Sequence, residues 1–330
     1  MRKVLFILTL VAIALAMVAV GAAPALAMEP EGDDGYSPIP NAAAPIAPTT
    51  TPVQNEVPEV DKDLIQHARR SAPLNVFQYT AQRTTSGMNS GAKAGAPAAP
   101  LNRNAYVRVP ILMYHHLEYL KPNASHVWQV LSVSPASFEQ QVAYLATHNF
   151  HTIYFSDLVA HLRYGRPLPP NPIILTFDDA WRDDYFVAYP ILRKYGIVGT
   201  FFPPTGYLNH YAFSLTWAQI YEMNHAGMEF GSHTVDHPFL TRQTPAQVWH
   251  ELVDSKWLLQ TRLGKPVSVF AYPFGAYNNL VVAEVAQAGY TAAVTTNAGA
   301  YQYAAGLLTL HRITIPYWFN LAAFAATVWR

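Results

Sequence analysis

From Tyr106 to the end of the chain, two hydrophobic patterns alternate. Short apolar runs with strand character give way to longer segments in which apolar residues recur at helical spacing, as Phe138, Val142 and Leu145 do. The apolar runs predict eight strands, at 109–114, 152–154, 173–177, 199–202, 229–232, 267–272, 292–295 and 308–313. The periodic segments predict five helices, at 137–147, 183–195, 217–226, 245–263 and 279–288.

This alternation predicts the fold class. Gly196, Gly227, Gly264 and Gly289 come directly after four of the predicted helices, where glycine commonly ends a helix. Strand–helix alternation over roughly 200 residues is typical of an α/β protein with a parallel sheet. The number of units favours a barrel-like arrangement, in which functional groups lie at the carboxyl ends of the strands.

The first 105 residues have a different composition. Arg2 and Lys3 precede an apolar run and a small-residue segment ending at Ala27, the pattern of a secretory signal peptide cleaved after Ala27. The alternative for residues 1–27 is a retained membrane anchor, because the run nearly reaches the length of a membrane span. Residues 28–105, rich in proline, alanine and threonine, predict a disordered spacer with a candidate short helix at 61–70. Residues 106–330 are then one exported domain, either secreted or held extracytoplasmically by the N-terminal segment.

Composition narrows the functional classes. The 330-residue chain has 51% hydrophobic residues and a formal net charge of zero, so there is no electrostatic case for a nucleic-acid partner. It has no cysteine, which excludes disulfides, thiolate nucleophiles and zinc–thiolate sites.

Two aspartates end the predicted strand at 173–177. Asp178 and Asp179 are adjacent, so their carboxylates point in different directions unless the chain turns there. A turn would let one carboxylate reach a metal ion and the other a water bound to that ion. An acidic helix cap is the alternative for an isolated pair of this kind.

Two histidines follow the predicted strand at 229–232. His233 and His237 are four residues apart, a spacing that would place both rings on one side of a helical turn, close enough to share a metal ion. One carboxylate and two imidazoles suit a divalent metal, and the second carboxylate remains as a base. The sequence therefore indicates metal-assisted hydrolysis, with surface histidines as the alternative.

Two further segments carry candidate chemistry. Phe274 precedes Gly275 in a Pro–aromatic–Gly turn, where its backbone N–H could face a developing oxyanion. His311 and Arg312 lie near the end of the last predicted strand, and a histidine there could protonate a leaving group. An ordinary turn and an ordinary polar strand end are the respective alternatives.

Together these motifs resemble the polysaccharide deacetylases, the NodB-homology group also called carbohydrate esterase family 4. The resemblance covers about 109–316 and depends on Thr-Phe-Asp-Asp at 176–179 and Ser-His-Thr-x-x-His at 232–237. The segment Val-Pro-Ile-Leu-Met-Tyr-His at 109–115 and Leu-Thr-Trp at 215–217 resemble the exopolysaccharide and chitin deacetylase-like branch. The resemblance implies a distorted (β/α) barrel that removes acetyl groups from sugars with the help of a metal ion.

The family motifs imply a role for each candidate residue. Asp178 matches the general base, and Phe274 matches the residue whose backbone N–H helps to form the oxyanion hole. His311 is the nearest match to the general acid. The residues that match the metal ligands are Asp179, His233 and His237. The implied cofactor is a divalent metal, zinc foremost, with cobalt, nickel and iron also compatible with these ligands.

This sequence departs from the family pattern at three places. Ala180 stands where many members have glycine, and Thr309 stands where an apolar residue is common. The third motif, around Ala271 and Tyr272, lacks the arginine that contacts the base in many members. We predict that Arg312 substitutes for it by reaching Asp178 from the neighbouring strand.

The leading functional hypothesis is an exported, metal-dependent hydrolase that removes N-acetyl groups from an N-acetylglucosamine-containing polysaccharide. A carbohydrate O-acetyl esterase would use the same residues. A catalytically inactive carbohydrate-binding module on the same fold is the alternative from another class, although binding alone would not need both aspartates and both histidines. The predicted partner is the polysaccharide substrate.

Overall fold

The computed structural model describes residues 105–330. The predicted signal or anchor at 1–27, nearly all of the spacer at 28–105 and the candidate helix at 61–70 therefore lie outside the described residues.

The described chain alternates strands and helices, as the hydrophobic pattern predicts. Its strands are β1 (Tyr106–Arg108), β2 (Ile111–Tyr114), β3 (His116–Leu117), β4 (Ser132–Val133), β5 (His151–Thr152), β6 (Pro172–Asp178), β7 (Thr200–Phe202), β8 (Glu229–Phe230), β9 (Val269–Ala271), β10 (Ala292–Ala298), β11 (Tyr301–Tyr303) and β12 (Leu310–Thr314). Its α-helices are α1 (His126–Leu131), α2 (Pro135–Thr147), α3 (Phe155–Tyr164), α4 (Tyr189–Tyr195), α5 (Trp217–His225), α6 (Pro245–Leu263), α7 (Asn279–Gln287) and α8 (Leu321–Trp329). A π-helix (Asp184–Ala188) precedes α4, and 3₁₀ turns lie at Leu240–Arg242, Pro273–Gly275 and Ala304–Gly306.

The central sheet is a parallel, nearly closed barrel. Its strand order is β8-β7-β6-β2-β12-β10-β9, and β5 pairs with β6. All pairs in this sheet are parallel. The two ends meet at Ser232, whose N–H donates to Val269 O (3.0 Å) and whose carbonyl accepts from Ala271 N–H (2.9 Å). The distorted (β/α) barrel expected from the sequence is thereby confirmed.

Strand alternation separates the inside of the barrel from the helix-covered outside. Ile111 and Ile174 belong to an inner apolar cluster, whereas their neighbours Leu112 and Leu175 belong to the larger cluster formed with the helices. Successive side chains on a strand point to opposite faces, so every second residue after Ile174 shares its inner face. This alternation places Asp178, the last residue of β6, inside the barrel.

Each of the eight predicted strands is present, with end points shifted by up to three residues. Helix α6 has the predicted bounds. The predicted helix at 183–195 begins instead as the π-helix, and its residue 190 is a proline, which cannot donate a backbone hydrogen bond to the preceding turn. None of the helices within residues 105–330 combines the length and apolar character that a membrane crossing demands.

Candidate metal centre and catalytic cluster

The two aspartates separate at the end of β6 because the chain turns between them. Asp178 is the last strand residue, and Asp179 (φ 74°) and Ala180 (φ 59°) both adopt left-handed backbone angles. Such angles are uncommon for residues other than glycine and reverse the chain direction sharply. The turn keeps the Asp178 carboxylate in the barrel and directs Asp179 to the two histidines.

Asp179, His233 and His237 form the candidate metal centre. Asp179 Oδ1 lies 3.4 Å from His233 Nε2 and 3.3 Å from His237 Nε2, and the two Nε2 atoms are 3.1 Å apart. One potential ligand atom from each residue lies within 4.8 Å of the other two. Among residues 105–330, no other group of three or more histidine and acidic side chains lies close enough together to hold a metal ion.

The donor atoms of this cluster fit a divalent cation. Asp179 Oδ1 is buried and has no hydrogen-bond partner among the described residues, a costly state for a carboxylate oxygen unless a cation meets it. His233 Nδ1 donates to Ala271 O (2.8 Å), which leaves the Nε2 lone pair facing Asp179. Burial and the neighbouring His233 lower the pKa of His237 to about 4, so its ring is neutral and free to ligate at neutral pH.

The histidines are not on a helical turn, and that part of the sequence prediction is wrong. The segment 233–237 is a loop in which Thr234 (φ 71°) and His237 (φ 55°) have left-handed backbone angles. Two bends, rather than a helical rise, bring the rings together. Glu251 of α6 holds the loop, because its Oε2 accepts from Val235 N–H (2.8 Å) and Asp236 N–H (3.0 Å).

Asp178 forms a buried ion pair with Arg312. The Arg312 guanidinium donates from Nη1 to Oδ1 (2.8 Å) and from Nη2 to Oδ2 (2.7 Å), and both side chains are almost completely buried. Burial raises the pKa of Asp178, but the charge and hydrogen bonds of Arg312 outweigh it and hold the pKa below its usual value. The predicted contact is therefore present, although β2 lies between β12 and β6, so Arg312 does not reach from a neighbouring strand.

Phe274 adopts a left-handed conformation (φ 58°) immediately before Gly275 (φ 66°). Its N–H has no hydrogen-bond acceptor among the described residues, so it is free to meet an added oxygen. Its partly exposed ring contacts the His237 ring (4.5 Å between centroids) and stacks on Phe239 (3.9 Å). The turn therefore borders the metal centre through His237.

His311 is not brought into the cluster. Arg312 points into the barrel, so the preceding residue of β12 points to the other face. There the His311 ring packs against Gly299, where even a Cβ atom would come within 2.7 Å of Nδ1.

A different histidine, His115, lies near Asp178; it follows β2 and continues the inner-face positions of Ile111 and Met113. Its Nε2 lies 3.9 Å from Asp178 Oδ2, and the side chain is 13% exposed. Burial lowers the pKa of His115, and the charges of Asp178 and Asp179 oppose that shift. His115 belongs to the 109–115 segment noted above. If the strand alternation of that segment is continued one residue past Tyr114, it places His115 on the inner face.

A parallel barrel that carries a His–His–Asp cluster and a separate buried carboxylate at its strand ends has the groups that metal-assisted hydrolysis requires. A profile of the polysaccharide deacetylase family matches residues 165–293. YxkH of Bacillus subtilis (strain 168), a protein named after the same family, is 31% identical over 224 residues, which are 67% of this chain and 76% of YxkH. The chain belongs to the polysaccharide deacetylase family and is a deacetylase.

Two further proteins are similar to this chain. The Streptococcus pyogenes deacetylase PplD, solved in complex with acetate, is 34% identical, with a TM-score of 0.64 over 68% of this chain and 99% of PplD. The poly-beta-1,6-N-acetyl-D-glucosamine N-deacetylase of Staphylococcus aureus (strain MRSA252) is 28% identical over 171 residues, which are 48% of this chain. The match spans 59% of the staphylococcal enzyme.

Proposed function

We propose that this protein is an exported, metal-dependent deacetylase that hydrolyses the N-acetyl groups of an N-acetylglucosamine-containing polysaccharide. The observation that carries the proposal is the pairing of the Asp179–His233–His237 cluster with a separate buried carboxylate, Asp178. The relation to the staphylococcal poly-N-acetylglucosamine deacetylase supports the choice of glycan.

Asp179, His233 and His237 would hold the metal ion. A divalent metal held by these residues would supply Lewis acidity, which would make water more acidic and would polarise a carbonyl oxygen. Two imidazoles and a carboxylate suit zinc best, and cobalt, nickel and iron also accept these ligands. The Phe274 N–H would donate to the oxygen that becomes negative when water adds to the acetyl carbonyl carbon.

Asp178 and His115 would move the protons. Asp178 takes a proton from the attacking water, which forms the new C–O bond. His115 Nε2 lies 3.9 Å from Asp178 Oδ2, so one bridging water would relay the proton from this carboxylate to the imidazole. His115 then delivers a proton to the departing nitrogen as the C–N bond breaks, which leaves an amine on the glycan and releases acetate.

Acetate release tests the proposal directly. The substrates are an N-acetylated chitooligosaccharide, its β-1,6-linked counterpart and an O-acetylated xylooligosaccharide. We expect release from the N-acetylated glycans, loss of release after chelation and recovery with added zinc. An unchanged rate in the stripped protein would contradict metal dependence, and release from the O-acetylated substrate alone would indicate an esterase.

Asp178→Asn separates catalysis from metal binding. The variant should lose turnover because it cannot accept a proton, while it still binds zinc with wild-type stoichiometry. Retained turnover would show that Asp178 is not the base.

Export has its own measurement. The basic start, apolar run and Ala25-Leu26-Ala27 segment support cleavage after Ala27. N-terminal sequencing of the protein from its natural host should then begin at Met28, whereas an intact N-terminus in the membrane fraction would indicate an anchor.

A further inference from the structure

Four aromatic rings form a continuous aromatic wall beside the metal centre, made up of Tyr207, Tyr211, Phe213 and Trp181. Tyr207 lies 6.4 Å from the His237 ring and 5.2 Å from Tyr211, centroid to centroid. Tyr211 stacks on Phe213 (5.1 Å, 9° between planes), and Phe213 contacts Trp181 (4.8 Å). The Trp181 indole N–H reaches back to Asp179 Oδ2 (3.4 Å). The wall therefore begins at two candidate metal ligands.

The outer part of this wall is open to solvent. Tyr211 is 45% exposed and Phe213 is 37% exposed, although rings of this size are usually buried in a core. The apolar faces of pyranose rings stack on exposed aromatic side chains, and tyrosine offers such a surface with little conformational entropy to lose. A wall of this kind suits a sugar chain that extends away from the reacting acetyl group.

The wall ends at an open pocket of about 430 Å³, the Arg182 pocket, which is lined in part by Arg182, Asn209, His210, Tyr211 and Gln219. A volume in this range can accept a small ligand. The pocket is held in shape by an antiparallel bridge between Trp181 and Ser214 and by the Arg182 N–H bond to Phe213 O (2.9 Å).

The Arg182 pocket presents unused hydrogen-bond donors. Asn209 Oδ1 accepts from Trp217 N–H and Gln219 Oε1 accepts from Thr216 N–H, each at 2.8 Å, so both amide oxygens are occupied. Neither amide NH₂ group has an acceptor within residues 105–330. Ser214, which also lines the pocket, is buried and its hydroxyl lacks a partner in the same part of the chain.

The described lining of the pocket carries a net positive charge. Arg182 is its one side chain with a permanent charge, and no carboxylate belongs to the described residues that line it. Its donors match hydroxyl and acetamido oxygens, whereas Arg182 would repel the ammonium group of a sugar that has already lost its acetyl group.

We propose that the aromatic wall and the Arg182 pocket form a glycan subsite that binds an acetylated hexosamine unit next to the one being hydrolysed and disfavours an amino-sugar unit. The subsite rests on the proposed function, because its ligand is the neighbouring part of the same polysaccharide. It makes acetylated stretches better substrates than stretches that have already been deacetylated.

Chain-length selectivity tests the subsite. The measurement is the ratio of kcat/KM for the N-acetylglucosamine pentamer to kcat/KM for the monomer, both determined with the zinc-loaded full chain. We expect the ratio to exceed one in the wild type and to fall about tenfold in Tyr211→Ala, which removes the exposed stacking face. Tyr301→Ala is the matched control, since Tyr301 is equally exposed and belongs to neither the wall nor the pocket. A ratio in Tyr211→Ala equal to that in Tyr301→Ala would overturn the proposal.

Binding to metal-free protein separates this proposal from the proposed function. Calorimetric titration compares the acetylated pentamer with the fully deacetylated pentamer at a pH where its amines are charged. We expect tighter binding of the acetylated chain, and a preference reduced several-fold in Arg182→Gln. Equal affinities in the wild type would overturn the subsite, whereas absent acetate release with intact selective binding would instead contradict the proposed catalysis.

Discussion

His115 and His311 are the two histidines to consider as the source of the leaving group's proton, and they lie on different faces of the barrel wall. His115 Nε2 is 3.9 Å from Asp178, whereas the His311 ring packs against Gly299. We expect His115→Asn to lower kcat by about 10²–10⁴-fold, the usual contribution of a general acid. His311→Asn should change kcat much less. Equal losses in the two variants would contradict the assignment of the proton to His115.

Arg312 should set the acidic limb of the pH–rate profile. Asp178, the proposed base, would act only when ionised, so we expect activity above its pKa and loss of activity as the pH falls through it. Arg312 lowers that pKa. Arg312→Lys, which replaces a two-pronged contact with a point charge, should therefore move the acidic limb to higher pH. An unmoved limb, with metal content and folding as in the wild type, would contradict this role.

A neutral replacement of Arg312 serves as the stability comparison. Arg312→Met leaves the Asp178 carboxylate buried without a partner, and breaking such a pair typically costs about 3–5 kcal/mol. Adding Asp178→Asn to that variant removes the unpaired charge and should restore much of the stability. Urea unfolding of the two variants separates this structural loss from the shift in the pH profile.

The loop at 233–237 depends on a helix that carries none of the candidate ligands. Its two left-handed residues, Thr234 and His237, cost about 1–3 kcal/mol each unless the surroundings enforce them. Glu251 of α6 accepts two charge-assisted hydrogen bonds from the backbone N–H groups of the two residues that lie between Thr234 and His237. We expect Glu251→Ala to weaken zinc binding about 10–100-fold, as loss of a supporting hydrogen bond commonly does.

Two further variants show whether this effect belongs to the loop. Glu251→Gln keeps an acceptor oxygen and should recover part of the zinc affinity. Asp254→Asn, at a half-exposed position on the same helix, should bind zinc as the wild type does. Zinc affinity that is unchanged in Glu251→Ala, measured by competition with a chromogenic chelator, would contradict the role of this glutamate.

The elements that the sequence predicted best are those with local signals. Helix α6 has the expected bounds because Thr244 caps it, Pro245 begins it and Gly264 (φ 65°) ends it. Helix α3 was missed, since it begins at Phe155 directly after a predicted strand and its N-cap residue, Tyr154, is not of a type that commonly caps helices. The histidine spacing was read as helical because the left-handed angle of Thr234 has no local sequence signal.

The assembly of the candidate site follows from barrel closure. Asp178, His115 and Arg312 share the inner face because their strands, β6, β2 and β12, are adjacent in this order in one parallel sheet. The histidine loop joins them because Ser232 pairs with β9. Strand order could not be read from the sequence, and for that reason Arg312 was expected beside Asp178 although β2 lies between their strands. The sequence was enough to predict the motifs. It was not enough to predict which motifs share the inner face of the barrel, because that depends on the strand order of the closed sheet.

Because the described strands of this sheet and the described members of both apolar clusters lie within residues 105–330, we expect the domain to fold and act without the preceding segment. We expect a fragment of residues 105–330 to unfold in one cooperative transition, with the Tm of the full chain within a few degrees. Its kcat/KM for soluble N-acetylglucosamine oligomers should also match that of the full chain, since every candidate site residue lies in this part. Thermal unfolding and acetate release on the two proteins, each loaded with zinc, provide the comparison. A fragment that aggregates, or that unfolds far below the full chain, would show that residues before 105 complete the domain.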